Sequence, residues 1–263
     1  MLTLYHFTGA TCAAKVLLAL AEKRIPFEDK LLEREDLAGV EFRALNPNGL
    51  VPVITHNGAT IIESSVILNY IEDAFPAIEL RPSDAQYRAK MNYWLKLVDD
   101  NLMHLGLVTY AIFSRAAYLS KSKAERELYY QGIPNLQIRE TRRNAIELGL
   151  KAPEVPDAVR GLFELQRKAE AALGDSTYLV SRYSLADIAL TPFAHRLEAL
   201  GLLASRQQLP GLHRWWDAIQ SRPSFQEAIG SRLPNGLIQG LHAATAANAD
   251  AISSLRKMAL ANL

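Results

Sequence analysis

Residues able to do chemistry lie in two short stretches of the N-terminal third. Asn46-Pro47-Asn48-Gly49-Leu50-Val51-Pro52 must turn sharply and then enter a strand at a proline. Proline cannot donate to a strand ladder, so Pro52 suits a strand start or a cis peptide in a tight turn. With a cis bond, the N–H and C=O of Val51 face outward and can pair with an extended peptide. Eleven residues after Pro52, Glu63-Ser64 sets an acid and a hydroxyl together where a helix should begin. The pair reads as a grip for a small peptide with free amine and carboxylate ends, or as an ordinary cap on a surface helix.

The second stretch is Thr8-Gly9-Ala10-Thr11-Cys12-Ala13-Ala14-Lys15. Cys12 falls at the predicted start of a helix, where the dipole lowers a thiol pKa. Lys15, one turn on, adds positive charge or is a solvated helix residue. Cys12 is a reactive thiol or a small residue at a tight helix entry. Tyr5, in mid-strand, is expected in the core.

These residues need a scaffold, and the pattern supplies one. Leu2 to Phe7 alternates like a short strand, Cys12 to Lys23 carries Val16, Leu17, Leu20 and Ala21 on one helical face, and Phe27 to Leu32 is a second strand. A helical stretch around Asp36 to Leu45 leads to the proline loop. Val53-Ile54-Thr55 and Thr60-Ile61-Ile62 flank Asn57-Gly58, a strong hairpin signal. Ser64 or Ser65 can cap the next helix, with Ile67, Tyr70, Ile71 and Ala74 on one face. The order β-α-β-α-β-β-α is that of a thioredoxin-like domain, 1–78. A linker at 79–86 follows, and from 87 to 263 strand signals almost vanish. Tyr87, Met91, Trp94, Val98, Leu102 and Leu105 keep helical spacing, so the fold class is an α/β thioredoxin-like domain followed by an all-α domain. Ala243 to Ala251 forms an alanine-rich tail.

Composition sets limits. The chain has 263 residues, 49% hydrophobic and 22% charged, with a net charge of +1. Such a balance points to neither nucleic acid nor a membrane surface as partner. Apolar runs fall short of a membrane span, and no signal peptide is expected. A single cysteine rules out an intramolecular disulfide and a cysteine-rich metal site. The expected compartment is the cytoplasm.

Taken in order, Asn46-Pro47-Asn48-Gly49-Leu50-Val51-Pro52, Glu63-Ser64 and Tyr183-Ser184-Leu185-Ala186-Asp187-Ile188 resemble the glutathione transferase superfamily over nearly the whole chain. The resemblance implies glutathione as co-substrate, a small hydrophobic or aromatic second substrate, and a homodimer. It implies that Leu50, Val51 and Pro52 form the loop whose Val51 backbone pairs with the cysteinyl part of glutathione. Glu63 and Ser64 would hold the γ-glutamyl end, its carboxylate favoured at a helix N-terminus. Asp99 or Asp100 would reach the γ-glutamyl amine across a dimer interface. Many relatives place Lys or Gln where Leu50 stands, so that contact with the glycyl carboxylate is either lost or supplied from elsewhere, by Arg43 or His56. Ser184 to Asp187 would cap a buried helix, making Asp187 a residue of stability.

Family catalysis lowers the pKa of the glutathione thiol, with Thr11, Thr8, Cys12 or the helix start as donor. Cysteine at this place resembles the bacterial beta class and the reductive dehalogenases of chlorinated hydroquinones. The segment Arg115 to Pro156 is longer than in most relatives and holds Tyr118, Tyr129, Tyr130, Arg139, Arg142 and Arg143. Ile133-Pro134 followed by spaced basic residues resembles the bacterial β-aryl ether-cleaving enzymes. The alternative for this segment is a surface extension with a solvated basic face. Tyr110, Phe113 and Arg115 are the expected walls of an electrophile pocket, which the tail after Pro234 could cover. Three readings follow: thiolate transfer to an aromatic electrophile by conjugation or ether cleavage, a Cys12-dependent reductive or deglutathionylating reaction, and a non-catalytic binding or regulatory role.

Overall fold

The computed structural model describes residues 1–261. Strand β1 (Leu2–His6) is followed by helix α1 (Thr11–Lys23) and pairs in parallel with β2 (Phe27–Leu31). A 3-10 turn at Asp36–Ala38 and the short helix α2 (Val40–Leu45) lead to β3 (Val53–His56). β3 runs antiparallel to β1 and makes a hairpin with β4 (Ala59–Ile62), giving the order β2-β1-β3-β4. Asn57 (φ 51°) and Gly58 (φ 80°) take the left-handed pair that a two-residue hairpin turn needs. Helix α3 (Ser64–Ala74) completes the thioredoxin-like order. Leu2, Leu4, Val53 and Ile54 of the sheet, Val16, Leu17 and Leu20 of α1, and Ile67, Leu68 and Ile71 of α3 are buried.

The rest is helical. Helices α4 (Ala85–Asp100) and α5 (Leu102–Thr109) run through a π-turn at Tyr110–Ser114 into α6 (Arg115–Leu119). Helices α7 (Lys123–Gln131), α8 (Leu136–Leu148) and α9 (Val155–Leu173) follow. Then come α10 (Leu185–Ala199), α11 (Pro210–Gln220) and α12 (Pro223–Phe225), the last continuing as a π-turn at Gln226–Gly230. Two helices follow, α13 (Asn235–Ala247) and α14 (Ala249–Ala261), and the alanine-rich stretch spans the junction between them. By length and mean hydropathy alone the helical run Ala85–Leu119 could cross a membrane, although its uncharged apolar stretches stay short, as expected. Met91, Trp94, Val98, Leu105, Val108 and Ile112 along it are buried in the protein.

By packing, the chain sorts into two compact units that cut across its order. The first joins residues 1–96, 172–193 and 211–234. Side chains far apart in sequence tie it together. Lys23 Nζ meets Glu72 Oε2 at 2.7 Å inside the protein, and Glu72 also accepts from the N–H groups of Leu80 and Arg81, fastening the chain as it leaves α3. Asp29 on β2 accepts from His6 at 2.6 Å and pairs with Arg232. The second unit joins 97–171, 194–210 and the stretch from Asn235 onward. Buried Gln166 bonds Leu202 O at 3.1 Å and Ala204 N at 2.7 Å. The tail is fastened there by Thr245 Oγ1 on Ala199 O (2.8 Å) and Arg256 Nη1 on Gly201 O (2.7 Å).

Candidate functional site

Asn46 organises the proline loop. It is buried, donates to Leu50 O at 2.7 Å, and accepts from Asn48 N at its side chain and Gly49 N at its carbonyl. Gly49 holds φ 62°, and a Cβ there would lie 2.6 Å from Arg43 Cζ and 2.8 Å from Leu37 O. Val51-Pro52 is cis, and the β3 ladder begins at Val53, so the Val51 main chain lies outside it. Leu50 is exposed. Arg43 donates to Pro47 O and braces the loop from within, while His56 bonds Tyr70 Oη at 2.8 Å.

The start of α3 departs from expectation. Neither Ser64 nor Ser65 caps it; Glu63 occupies the cap position, exposed, at φ 68° and ψ 115°, with no side-chain cap bond. Its left-handed turn moves both hydroxyls into the first helical turn. The first intrahelical bond is Ile67 N to Glu63 O, so the N–H groups of Ser64, Ser65 and Val66 have no acceptor within the helix. Ser64 is buried, and Ser65 Oγ is buried with no hydrogen-bond partner among the described residues. A hydroxyl left so costs about 1–3 kcal/mol, and together these donors suit a carboxylate.

At the start of α1, Gly9 (φ 76°) turns the chain and Ala10 N bonds Phe7 O at 3.2 Å. Ala10 is the cap, with no side-chain bond and no acid in the first turn. Thr11 and Cys12 are the first two helical residues, both half-buried. Lys15 is buried whole, its ammonium 5.7 Å from the centre of the Phe193 ring, which overturns the solvated alternative. Tyr5 is half-buried against Phe42, ring centres 6.5 Å apart.

Sheet register brings these three pieces together. Val53 pairs with both Tyr5 and Ile62. The chain leaving β1 toward Thr11 and Cys12, the chain entering β3 at Val51-Pro52, and the chain leaving β4 at Glu63-Ser64 therefore all emerge at one end of the sheet.

Asp187 serves structure. It is wholly buried, accepting from Ser184 N (2.9 Å), Leu179 N (3.0 Å) and Trp215 Nε1 (2.9 Å). Burial pushes its carboxyl up to about 6 against the pull of those donors. The contacts tie the start of α10 to α11, with Ser184 as the cap.

In the second unit, Asp100 is exposed at the end of α4. Tyr110 and Phe113 lie on the π-turn, a helical defect frequent at functional sites. A Cβ on Gly240 of α13 would lie 3.3 Å from the Phe113 ring, so the tail packs on that residue. Arg115 Nε and Nη2 donate to the carbonyls of Ile146 (2.8 Å) and Glu147 (3.2 Å), clamping the end of α8. The segment from Arg115 to Pro156, for which the alternative was a surface extension with a solvated basic face, folds as a tyrosine cluster, Tyr118, Tyr129 and Tyr130 packed with Tyr110, bound to arginines. Arg126 pairs with Glu147 at 2.8 Å and Arg143 with Glu127 at 2.6 Å, so the basic face is not simply solvated. Arg139 closes the turn between α7 and α8 on Ile133 O. Sequence reading missed Ser65 as an unsatisfied donor, although it stands beside the Glu63-Ser64 signal. It also missed Arg142 as a partner of Tyr110, for which no sequence signal exists.

A thioredoxin-like sheet with these three openings at one end, followed by helices, defines a class. The chain matches the family model "Glutathione S-transferase, N-terminal domain" over residues 4–81 and "Glutathione S-transferase, C-terminal domain" over 103–223. It belongs to the glutathione S-transferase family, as an enzyme of that type with glutathione as co-substrate. Among its relatives, Protein LigF of Sphingobium sp. (strain NBRC 103272 / SYK-6) is 31% identical over 240 residues, covering 86% of this chain and 92% of LigF. Glutathione S-transferase GstB of Escherichia coli (strain K12) is 27% identical over 236 residues, covering 87% and 98%. The crystal structure of beta-etherase LigF from Sphingobium sp. strain SYK-6 superposes with a TM-score of 0.79 at 30% identity, covering 86% of this chain and 98% of that one. Glutathione transferase F7 from Populus trichocarpa shares the fold, with a TM-score of 0.66 at 22% identity, covering 92% and 99%.

Proposed function

We propose that this enzyme delivers the glutathione thiolate to an aromatic electrophile, β-aryl ethers among its substrates, acting in the cytoplasm as a homodimer. The observation that carries the glutathione site is the unpartnered Ser65 hydroxyl in the uncapped first turn of α3, at the sheet end that also holds Val51 and the start of α1. In this reading the first turn of α3 takes the γ-glutamyl carboxylate, Glu63 takes the amine, and the Val51 main chain pairs with the cysteinyl unit. Leu50 and Pro52 shape the loop, and Asp100 of the partner subunit completes the amine site.

The sulfur then lies by the first turn of α1, where N–H groups and Thr11 stabilise its negative charge. In ether cleavage the thiolate forms a carbon–sulfur bond as the carbon–oxygen bond breaks, and the aryl oxygen leaves with the electron pair and takes up a proton. Tyr110, Phe113 and Arg115 belong to the region that receives the aromatic body. Similarity to LigF, whose structure is described as a beta-etherase, supports the choice of ether.

The test incubates the protein with glutathione and either 1-chloro-2,4-dinitrobenzene or a model β-aryl ether. Thioether and released phenol in equal amounts are expected from the ether. Turnover of the halide alone would leave a conjugating enzyme and overturn the ether, and turnover of neither would overturn the aromatic electrophile. Cys12, half-buried at the second helical position of α1, favours one further reading, in which its thiolate attacks the sulfur of a glutathione conjugate. The carbon–sulfur bond breaks as the disulfide forms, the carbon takes the electron pair and a proton, and a second glutathione releases Cys12 as oxidised glutathione forms.

A further inference from the structure

Arg142 differs from the arginines around it. On the same helix Arg143 forks onto Glu127 at 2.6 and 3.0 Å, and Arg126 of α7 meets Glu147 at 2.8 Å. Among the described residues no carboxylate lies within ion-pair distance of Arg142. Its guanidinium instead stacks 3.5 Å from the centre of the Tyr110 ring, and its Nη1 donates to Tyr129 Oη at 2.7 Å. The Tyr129 ring lies 4.6 Å from that of Tyr118, which in turn packs 5.8 Å from Tyr110. Burial, then the neighbouring Tyr110, raises the Tyr129 pKa, so it stays a neutral phenol. The cation is half-buried and held flat by two tyrosines, one of them on the π-turn.

A planar guanidinium fixed on one face and one edge keeps its orientation and still has an edge that suits a carboxylate fork. Its aromatic partner offers a ring alongside. We infer that Arg142, set by Tyr110 and Tyr129, recognises a carboxylate borne by the aromatic second substrate and so selects acidic aromatic electrophiles. The inference rests on the reading that the enzyme acts on an aromatic electrophile, and it assigns Arg142 to specificity, not to thiol activation.

Two matched probes test it, 3,5-dinitrobenzoate and its neutral amide 3,5-dinitrobenzamide, titrated calorimetrically into the protein saturated with glutathione. The benzoate is expected to bind about tenfold tighter than the amide, the size of one charge-assisted hydrogen-bonded pair. In Arg142→Gln that ratio should fall to about one with amide binding held within about twofold, and Arg142→Lys should restore part of it. Tyr129→Phe, which removes the hydroxyl but keeps the ring, should also shrink the ratio and serves if Arg142→Gln does not fold. The 4-chloro derivatives of both probes report the same ratio in kcat/KM, with the KM for glutathione unmoved. Equal binding of the two probes by the parent protein overturns the inference. So does an equal loss for both probes in Arg142→Gln, which would make Arg142 only a brace for the tyrosines. Charge-selective binding without turnover of either chloride would sink the aromatic-electrophile reading on which the inference rests and leave Arg142 as a carboxylate-binding residue only.

Discussion

Arg222 forks onto Glu22 across two hundred residues of sequence, Nε to Oε1 at 2.6 Å and Nη2 to Oε2 at 2.7 Å. The guanidinium also lies 3.6 Å from the centre of the Tyr183 ring, and Ser224 donates to the same carboxylate. This pair fastens α1, and so the start of that helix with Thr11 and Cys12, to the segment entering α12. Burial alone would raise the Glu22 carboxyl, but hydrogen bonds from Arg222 and Ser224 and the Arg222 charge outweigh it and hold the pKa below 4.5.

A carboxyl held low in the folded state stabilises above its unfolded pKa, and the contribution fades as pH falls through the folded value. Glu22→Gln should therefore cost about 3 kcal/mol at pH 7, the scale for breaking a largely buried pair. Urea melts of both proteins at pH 7 and pH 3.5 check it. The gap should narrow in acid; an unchanged gap would mean that the loss is one of packing.

Much of this architecture was legible because it rests on local signals. Asn57-Gly58 is the hairpin turn, Cys12 does open a helix, and Ser184-Leu185-Ala186-Asp187 does cap α10. Long-range pairing leaves no such trace. Nothing in the sequence links Glu22 to Arg222, or Asp29 to Arg232, so packing units that interleave along the chain were invisible. Ser64 and Ser65 looked like caps because serine usually is one. What displaced them is the positive φ of Glu63, a cost for a residue with a Cβ and one that no local preference announces.

Strain at Glu63 can be relieved at the expense of binding. Glycine adopts φ 68° freely, so Glu63→Gly should stabilise the protein by about 1 kcal/mol while removing the carboxylate proposed for the amine of glutathione. Thermal melts and retention on immobilised glutathione are the two readouts. A higher melting temperature with lost retention is expected. A lower melting temperature would show that the turn is held by the Glu63 side chain.

The proline loop has the opposite sensitivity at Gly49. A methyl group there meets Leu37 O at 2.8 Å and the Arg43 guanidinium at 2.6 Å, at a φ of 62° that alanine disfavours. Gly49→Ala should destabilise by about 1–2 kcal/mol and raise the KM for glutathione, since the loop that presents Val51 must shift. Steady-state kinetics with glutathione varied, alongside denaturant melts, decide it. Lost stability with an unchanged KM would detach the loop from the binding site.

Thr11 and Cys12 occupy the first two positions of α1, and their replacement separates the two chemistries that the site allows. If the helix start and Thr11 stabilise the glutathione thiolate, Cys12→Ala keeps most turnover of 1-chloro-2,4-dinitrobenzene. Thr11→Val should then lower kcat by about 10-fold to 100-fold at neutral pH, up to the loss of one well-placed donor, with most of that loss recovered at high pH where the thiol ionises unaided. If Cys12 is the reactive group, Cys12→Ala abolishes reduction of a glutathione conjugate while glutathione still binds. The Thr11→Val pH profile then stays parallel to that of the parent protein. Measuring both variants across pH 6 to 9 with both substrates assigns the sulfur its donor, because only a thiolate-stabilising group displaces the pH at which half-maximal rate is reached.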